Sequence, residues 1–502
     1  MFLIGTHKSL LTYLCGFLGK AILMLGSLIT TVPYRGKEGE PYSILNHFIS
    51  AIGEVGVSRL APVFNASLIV GGLVLVILPL WPNYDLAFAD QESAQAIRSG
   101  SNDQAIEKID EEYHTPLAGE PFHLEFMGKS IDIAARDRGN VNSLELGGTV
   151  YVPDIKEITA VPLFALYIKR TRENGRLRIL ASGIENEVSG AKSFGNFDLL
   201  GRFENYTNPF GETGFLRNEE VKQSSVKWGT LSSFLGAGLR YRVSPYQVDN
   251  DLRLQLLGRV GYLYSKETGD TGQNVKLPPD TTLFGVKLRG RYDGIRRNLM
   301  ELPHTGMAAG FDLDFVHREN WADYGNPLVR FKKNNSQNYS PLSGYVLGAF
   351  GIPGLSEKNR ILASIHGGWI DKKSADRYNA SRLDGGPFAE ERDDLARPNY
   401  PGALHSETIV SEYLMLNLEY RRELLSFLYL HLRGTFIWGD RSTVVGGNQI
   451  GFKSDNGQSA SIALTSGFLW KSQLYLEYAW DTGFIRNGKP GSSFTLLWSK
   501  SF

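Results

Sequence analysis

The sequence has no excess of charge of either sign and almost no cysteine. Its 53 lysines and arginines balance its 53 aspartates and glutamates, whereas a nucleic-acid-binding protein usually carries a basic excess. Its one cysteine is Cys15, in a part of the chain that we expect to be absent from the mature protein. We therefore expect no nucleic-acid partner, no disulfide framework, no thiolate metal site and no cofactor.

Catalytic motifs are also scarce. His317, His366, His405 and His431 are scattered through the chain, and none lies in a G-x-S-x-G or H-E-x-x-H sequence. In the strand register that the alternation pattern predicts, His366 and His431 face opposite sides and should not meet. We therefore expect that the protein is not an enzyme.

Long apolar runs are confined to the N-terminal region, at about 10–32 and at 67–80. The second run is shorter than the roughly 20 residues of a membrane-spanning helix. Arg59 precedes it and Ala87-Phe88-Ala89 follows it, which is the pattern of a secretory signal peptide. We expect residues 1–89 to be a leader, with a signal peptide at 67–89 and a mis-assigned translation start or an extra element upstream. The alternative, a buried core strand or helix at 67–80, fits the A-x-A site less well.

The 57 residues from 90 to 146 begin with a polar, helix-compatible stretch that Pro116 and Gly119 interrupt. Phe122, Leu124 and Phe126 then alternate with polar residues, and a short strand is predicted at Ile131–Ile133. We expect a small periplasmic segment or a plug. A partly ordered linker is the alternative.

Apolar and polar residues alternate with period two over most of the remaining chain, most clearly from Ser411 to Trp438. Such alternation predicts strands with one apolar and one polar face. The first strand of this predicted hairpin has Leu414, Leu416, Leu418 and Tyr420 on one face and Met415, Asn417, Glu419 and Arg421 on the other. After a break at Arg422–Leu424, the second strand has its apolar face at Leu428, Leu430, Leu432, Phe436 and Trp438.

Similar segments recur along some 350 residues, and we count about sixteen strands. Leu235–Val243 is one of the clear strands. Similar strands begin near Leu163, Leu177, Asn196, Tyr345, Ile361, Ser461, Leu474 and Phe494, with another at Thr149–Asp154 and a weak candidate at Val221–Trp228. The ionised residues on the polar faces would be costly inside a soluble sandwich but not in a wet lumen. We therefore predict an all-β fold, a transmembrane antiparallel β-barrel over 147–502 in the bacterial outer membrane. A soluble β-rich secreted protein is the alternative.

The polar faces of the predicted barrel are rich in basic residues. For any one of them, a solvated wall position is the simplest interpretation, but together they predict a basic lumen. The predicted lumen-wall residues are Arg240, Arg242, Arg253, Arg259, Lys287, Arg289, Arg291, Arg421 and Arg433, against Asp312, Asp314, Glu419 and Glu477.

The last predicted strand places Phe494, Leu496, Trp498 and the terminal Phe502 on its outward face. A terminal phenylalanine at the end of an amphipathic strand resembles the assembly signal of bacterial outer-membrane proteins. Lys500 stands where that signal usually has an apolar residue, although a long side chain can reach the interface.

Two further stretches resemble the Omp85 superfamily of outer-membrane barrels, which includes the bacterial surface antigen type. Tyr292–Asn298 is followed by Pro303 and Gly306, as in a family pattern where Asp293 and Arg296 precede a Pro and a Gly before a strand. Leu383–Gly386, Arg397–Tyr400 and Leu418–Arg421 resemble the long sixth loop and the strand after it. Arg397 is followed by Pro398-Asn399 instead of a single Gly, and the periplasmic POTRA repeats of the family are not evident.

The resemblance implies that the protein assists insertion or translocation of proteins at the outer membrane. Its expected partners are then the outer-membrane lipid and a client protein or periplasmic partner. The residues alone leave open a second function, that of a passive or ligand-selective pore with a basic lumen.

The resemblance also implies that the loop between Asp371 and Val410 folds back into the lumen with Arg397 and Tyr400 at its tip. We predict that Arg397 pairs with an inward carboxylate, because its planar donor fork suits one. Glu419 is the first candidate and Glu477 the second. The alternative is that Arg397 is a solvated loop residue.

Overall fold

The computed structural model describes residues 114–502, except for 127–128, 156–157, 217–218, 243–250, 326–329, 384, 386–394, 404–407, 446–448, 469–471 and 486–489. The predicted leader at 1–89, its signal peptide at 67–89 and residues 90–113 lie outside the described residues. In the described part of the chain, no helix has the length and apolar character needed to cross a membrane.

Sixteen long antiparallel strands form a closed barrel in the described part of the chain. They are β3 (Asn140–Ile155), β4 (Ile158–Arg172), β5 (Gly175–Ser182), β6 (Glu185–Phe194), β7 (Phe197–Leu216), β8 (Glu219–Arg242), β9 (Asp251–Thr271), β10 (Thr281–Asp293), β12 (Pro303–Arg318), β16 (Leu342–Gly351), β17 (Asn359–Trp369), β19 (Thr408–Leu425), β20 (Leu428–Val445), β21 (Gln449–Phe468), β22 (Ser472–Asp481) and β23 (Gly491–Ser501). Each pairs with the next along the chain, which confirms the predicted antiparallel β-barrel.

Shorter elements lie in the turns, in the loops and before the barrel. The N-terminal hairpin consists of β1 (Phe122–Phe126) and β2 (Lys129–Ile133), as the alternation predicts. The remaining short elements are β11 (Arg296–Arg297), β13 (Tyr324–Gly325), β14 (Arg330–Phe331), the single helix turn α1 (Lys333–Ser336), β15 (Asn338–Tyr339) and β18 (Ser381–Leu383).

The barrel is closed by its last and first strands. β23 pairs with β3 from Ser492 opposite Val152 to Ser501 opposite Ser143. Because this pairing leaves no unpaired edge, every long strand has a neighbour on both sides. β3 begins at Asn140, ahead of the Gly147 boundary that the sequence suggested.

Side chains alternate between the two faces of the wall, as the period-two pattern predicts. Leu235 is 75 % exposed and Leu256 is 56 % exposed, whereas their neighbours Phe234 and Leu257 are each 2 % exposed. Large apolar residues therefore cover the outer surface, and polar and charged residues face the lumen. This is the arrangement of a transmembrane barrel.

The predicted number of strands agrees with the structure, but two strand assignments were wrong. β6 was missed, because Val188 is its only large apolar residue before Phe194 and the alternation is weak. β8 was counted as two strands, at Val221–Trp228 and Leu235–Val243, yet the strand is continuous. The break predicted at Arg422–Leu424 lies further along, where Leu425 and Leu428 flank a tight turn.

The two ends of the barrel differ in their connections. Tight turns follow β4, β6 and β19, at the same end as Asn140 and Phe502. The long connections that follow β12 and β17 begin at the opposite end. Short periplasmic turns and long extracellular loops are typical of outer-membrane barrels. The end of the barrel that holds Asn140 and Phe502 is therefore the periplasmic one.

The segment before the hairpin is attached to the periplasmic turns. The Ala118 backbone N–H donates to the Arg297 carbonyl at 3.0 Å, and the Leu299 N–H donates to the Pro116 carbonyl at 2.8 Å. The Thr115 hydroxyl donates to Glu423 at 2.8 Å. Residues 114–118 therefore lie against the periplasmic mouth of the barrel.

Candidate functional site

The long connection after β17 returns into the lumen, as the resemblance implies. Leu395 and Ala396 pack against an apolar cluster on the lumen wall that includes Ile295 and Leu362. Tyr400 is fully buried, with its ring centroid 6.1 Å from that of Phe484. Residues 395–403, which we call the lumen loop, thus contact well-separated parts of the barrel wall.

The end of the lumen loop is fixed to the wall by its backbone. The Pro401 carbonyl accepts a hydrogen bond from the Ser459 hydroxyl at 2.9 Å. Gly402 has φ +89°, and a Cβ on it would lie 3.1 Å from the Ser493 hydroxyl oxygen. Glycine is favoured at this position, because the backbone conformation and the space beside β23 both disfavour a side chain.

Arg397 lies in the lumen and donates a hydrogen bond to the Glu185 carboxylate, at the start of β6. The prediction of an inward carboxylate partner agrees with this contact, but both predicted partners, Glu419 and Glu477, are wrong. The loop carries Arg397 towards β6, and the other two carboxylates contact different groups. The arginine and Glu185 are 20 % and 26 % exposed, so the pair is only partly shielded from water.

Glu419 instead joins two arginines of the wall. Arg421 donates to its Oε1 from Nε at 3.0 Å and from Nη2 at 2.8 Å. Arg433 donates to its Oε2 from Nε at 3.1 Å and from Nη2 at 2.9 Å. Each guanidinium group directs two N–H groups at one carboxylate oxygen, and these charge-assisted hydrogen bonds are stronger than neutral ones. Arg421 also donates to the Pro303 carbonyl at 2.6 Å, so the cluster reaches across to β12.

His431 extends this cluster along β20. Its Nδ1 lies 2.9 Å from Glu419 Oε1, and its Nε2 lies 2.9 Å from the Thr465 hydroxyl. The prediction that His366 and His431 face opposite sides is wrong. Met415 pairs with His366 and Arg421 pairs with His431, and both partners lie on the inward face of β19. His405 lies outside the described residues.

Glu477 is buried next to the same cluster. The Tyr475 hydroxyl donates to it, and Arg433 Nη1 lies 3.8 Å from its carboxylate. A cavity of about 170 Å³ separates these groups from the lumen loop and is lined by Arg397, Glu419 and Tyr475 among others. The inward face of β19–β22 is therefore a polar surface under the loop.

The predicted lumen-wall cations whose side chains are described face inward. Carboxylates offset the charge of several of them, and the Ser232 hydroxyl accepts hydrogen bonds from Arg259. Except for Glu419, which shares β19 with Arg421, these partners come from neighbouring strands. The wall is therefore largely a ladder of cross-strand pairs and is less basic than predicted. The closest distances are Arg289–Asp312 2.9 Å, Arg291–Asp312 3.1 Å, Lys287–Asp314 3.5 Å, Arg240–Asp198 3.8 Å and Arg259–Ser232 2.8 Å. The side chain of Arg242 lies outside the described residues.

The family motif is built differently from the prediction. Asp293 pairs with Arg297 at 2.9 Å, whereas Arg296 is exposed. The arginine that pairs with Asp293 is therefore Arg297, one position after the Arg296 of the predicted motif. Gly306 has φ +111°, and a Cβ on it would overlap the Gly294 carbonyl. The motif thus closes a tight periplasmic turn before β12.

A second buried cluster, which we call the extracellular cap, covers the opposite end of the lumen. Arg318 donates to Asp376 at 2.5 Å, and neither side chain is exposed. The guanidinium carbon lies 4.1 Å from the ring centroid of Trp321 and 4.6 Å from that of Tyr339. The cap joins the connection after β12 to the one after β17. Its other aromatic residues are Trp228, Tyr324 and Tyr378.

The C-terminal residues lie as predicted. Phe494 and Phe502 are exposed on the outer surface, and Trp498 is partly exposed on the same face. The Phe502 backbone N–H donates to the Asn142 carbonyl at 3.0 Å, so the chain end is paired with β3.

Several important residues were missed from the sequence. Glu185 lies in the strand that was not recognised, and Asp376 lies 58 positions from Arg318. The aromatic residues of the loops after β12 and β17 were a usable signal, because a solvated loop seldom needs so many. No signal in the sequence pairs Glu185 with Arg397.

No family model and no curated protein matches this sequence. Among solved structures, it is similar to BamA from Haemophilus ducreyi lacking POTRA domains 1–3, with 12 % identity, a TM-score of 0.43 and coverage of 76 % of this chain and 75 % of that chain. CdiB from Escherichia coli is similar as well, with 12 % identity, a TM-score of 0.43 and coverage of 80 % of this chain and 70 % of that chain. The outer-membrane channel DcaP of Acinetobacter baumannii is similar with 9 % identity, a TM-score of 0.33 and coverage of 72 % of this chain and 96 % of that chain.

These values add nothing to what the strand topology itself shows. Closed antiparallel pairing, an apolar outer surface and a polar lumen are found together in outer-membrane barrels. The chain is therefore a sixteen-stranded β-barrel of the bacterial outer membrane, with a loop packed in its lumen.

Proposed function

We propose that this barrel assists the insertion or translocation of other proteins at the outer membrane. The observation that carries the proposal is the lumen loop, which contacts separate parts of the wall through Ala396, Arg397 and Tyr400. A passive pore requires a continuous wet path. Here the lumen loop and the extracellular cap both lie in that path.

The charge distribution also favours this function over a basic pore. Lys287, Arg289 and Arg291 pair with Asp312 and Asp314 on the neighbouring strand. Paired charges attract a passing anion less than unpaired ones do. The wall therefore offers less anion selectivity than its sequence suggests.

A closed barrel can pass a β-strand to the membrane only if one strand pair opens. The pair β23–β3 is the natural candidate, because it joins the two ends of the barrel chain, whereas the other neighbouring long strands are consecutive in the sequence. Opening this pair exposes backbone groups that a client strand could satisfy. Inside the barrel, a hydrogen bond between the Thr149 and Thr495 hydroxyls at 2.9 Å spans the pair.

A reversible cross-link tests this function. Cysteines replace Thr149 and Thr495, which face each other across the pair, in a Cys15→Ser chain. Cross-strand neighbours lie within the Cα separation that a disulfide requires. The protein is reconstituted in liposomes with a urea-unfolded small outer-membrane barrel as client, and folding of the client is followed by its heat-dependent shift on a gel.

We expect the wild-type protein to accelerate client folding, the oxidised variant to lose this effect, and a reductant to restore it. The matched control places cysteines at Thr435 and Ser459, which face each other between β20 and β21, and should remain active when oxidised. Equal activity with the β23–β3 pair locked would contradict the proposed route. A wild-type protein that conducts ions steadily without accelerating folding would favour the pore.

A further inference from the structure

A groove crosses the outer wall of the barrel at β8, β9, β10 and β12. It has a volume of about 820 Å³, and its floor includes Ser233 and Gly258. Its flanks are apolar and exposed, with Leu235, Val260 and Phe284 at 75 %, 56 % and 43 % exposure. The groove therefore lies on the surface that faces the hydrocarbon of the membrane.

The groove exists because small residues stand where the outer wall otherwise carries large ones. Gly258 pairs with Leu235 on one side and with Val286 on the other, and Ser233 pairs with Val260. The missing side-chain volume at Ser233 and Gly258 leaves a depression between these larger neighbours. Because it opens onto the bilayer, an apolar chain gains contacts there that a flat wall does not offer.

One end of the groove is polar. His317 lies next to the last residue of β12, at the extracellular end, and its Nδ1 is 2.7 Å from Asn338 Oδ1. Ser340 lines the same end. The groove therefore runs from a polar rim into the apolar part of the wall, which matches a molecule with a polar head and an apolar tail.

We infer that this groove binds one acyl chain of a lipid in the outer leaflet, with the polar head of that lipid beside His317 and Asn338. The location excludes a soluble ligand. A lipid fits the groove, because the groove is continuous with the membrane-facing surface and changes from polar to apolar in the same direction as a lipid molecule does. The inference does not depend on the proposed function.

The experiment uses the wild-type protein in vesicles of phosphatidylethanolamine and phosphatidylglycerol that contain a phospholipid with a diazirine in one acyl chain. After irradiation, mass spectrometry locates the labelled residues. We expect labelling to concentrate at Val260 and Phe284, relative to Leu416 and Leu432, which are exposed on the outer face of β19 and β20, away from the groove.

Gly258→Phe fills the groove, and the wall tolerates it, because a Cβ there would lie 3.6 Å from the nearest atom, the Leu235 carbonyl oxygen. Gly434→Phe is the matched control, since a Cβ there meets nothing within 4 Å and Gly434 shares the outward face of β20 with Leu432. The concentrated labelling at Val260 and Phe284 should be lost in Gly258→Phe and retained in Gly434→Phe. Ser233→Leu gives the same test if Gly258→Phe fails to fold.

Three outcomes would overturn the inference. Even labelling along the whole outer wall would mean ordinary boundary lipid. Concentrated labelling that persists in both groove-filling variants would mean that the groove is not its cause. Protection of the groove from the probe would mean that another protein, such as a second copy of this chain, covers that face.

Discussion

The extracellular cap and the lumen wall both place arginines beside carboxylates, but in different surroundings. In the cap, Arg318 and Asp376 have no exposed side-chain surface and lie among aromatic rings. On the wall, Arg289 and Arg291 share Asp312, and each of the three retains 14–17 % exposure. The cap is a dry core, whereas the wall is a lining that water can reach.

This difference decides which charges hold the structure together. Removing one member of a fully buried pair leaves an unsolvated charge, which is far more costly than losing a pair that water can replace. The cap should therefore depend on each of its charges. The wall should tolerate the loss of a single one.

Among single substitutions, we expect Asp376→Ala to reduce stability most. It leaves Arg318 buried without its carboxylate and also removes the acceptor of the Tyr378 backbone N–H at 2.9 Å. We expect a loss of about 3–5 kcal/mol in the local stability of the cap. Limited proteolysis of intact cells or vesicles should then cut within 319–341.

The matched control is Asp312→Ala on the wall, for which we expect a smaller loss than for Asp376→Ala, because water can reach Arg289 and Arg291. Its loops should remain protected from protease. If Asp312→Ala exposes the loops as much as Asp376→Ala does, the cap is no drier than the wall and the comparison fails.

The next effect concerns the two faces of a single strand. Lysine at Leu288, which faces lipid near the middle of β10, should cost about 2–4 kcal/mol in the free energy of unfolding. Lysine at the neighbouring Arg289, which faces the lumen, should be tolerated. Urea titrations of the two variants in lipid vesicles measure the difference. The reverse order of stabilities would mean that the assigned register is wrong by one residue.

The facing of the strands could be predicted because alternation is a local property of the sequence. Leu288 and Arg289 reveal their sides without knowledge of any other strand. β6 shows the limit of this signal, because its inward Glu187 and Ser189 alternate mainly with small or polar residues. Where the outward face lacks large apolar side chains, the alternation of apolar and polar residues disappears from the sequence, although the strand still pairs with its neighbours.

The lumen contacts could not be predicted, because they join segments that are distant in the sequence. Arg397 and Glu185 are 212 positions apart, and their contact depends on the route of the lumen loop. Glu419 was a reasonable candidate by its inward position. It already binds Arg421 and Arg433 through both carboxylate oxygens, and the alternation pattern carries no information on that competition.

The smallest effect that we expect is a pH-dependent loosening of the segment at Thr115, which is held by Glu357 in a periplasmic turn. Burial alone would raise the pKa of the Glu357 carboxyl. The hydrogen bond from the Thr115 backbone N–H and the positive charge of Arg360 outweigh burial and hold that pKa below its usual value. A lowered folded-state pKa means that the contact stabilises docking above the unfolded-state pKa and is lost as the pH falls through the folded-state value.

A spin label on a cysteine at Glu120, which is exposed, reports this docking. The label should become more mobile as the medium is acidified through that range. In Glu357→Gln it should be more mobile at neutral pH and change little on acidification. Equal mobility in both proteins at every pH would show that Glu357 does not hold the segment.

Single-channel recording on the purified protein in planar bilayers tests most directly whether the lumen loop closes the barrel. The wild-type protein should show no steady conductance. Arg397→Ala and Glu185→Gln should each raise the time spent in conducting states by roughly tenfold, the range expected for one charge-assisted hydrogen bond. The double variant should be no more open than either single one, because both changes remove the same contact. Arg296→Ala, at an exposed arginine outside the lumen, should behave as the wild type. A wild-type protein with a stable open conductance, or an Arg397→Ala variant as silent as the wild type, would contradict the account.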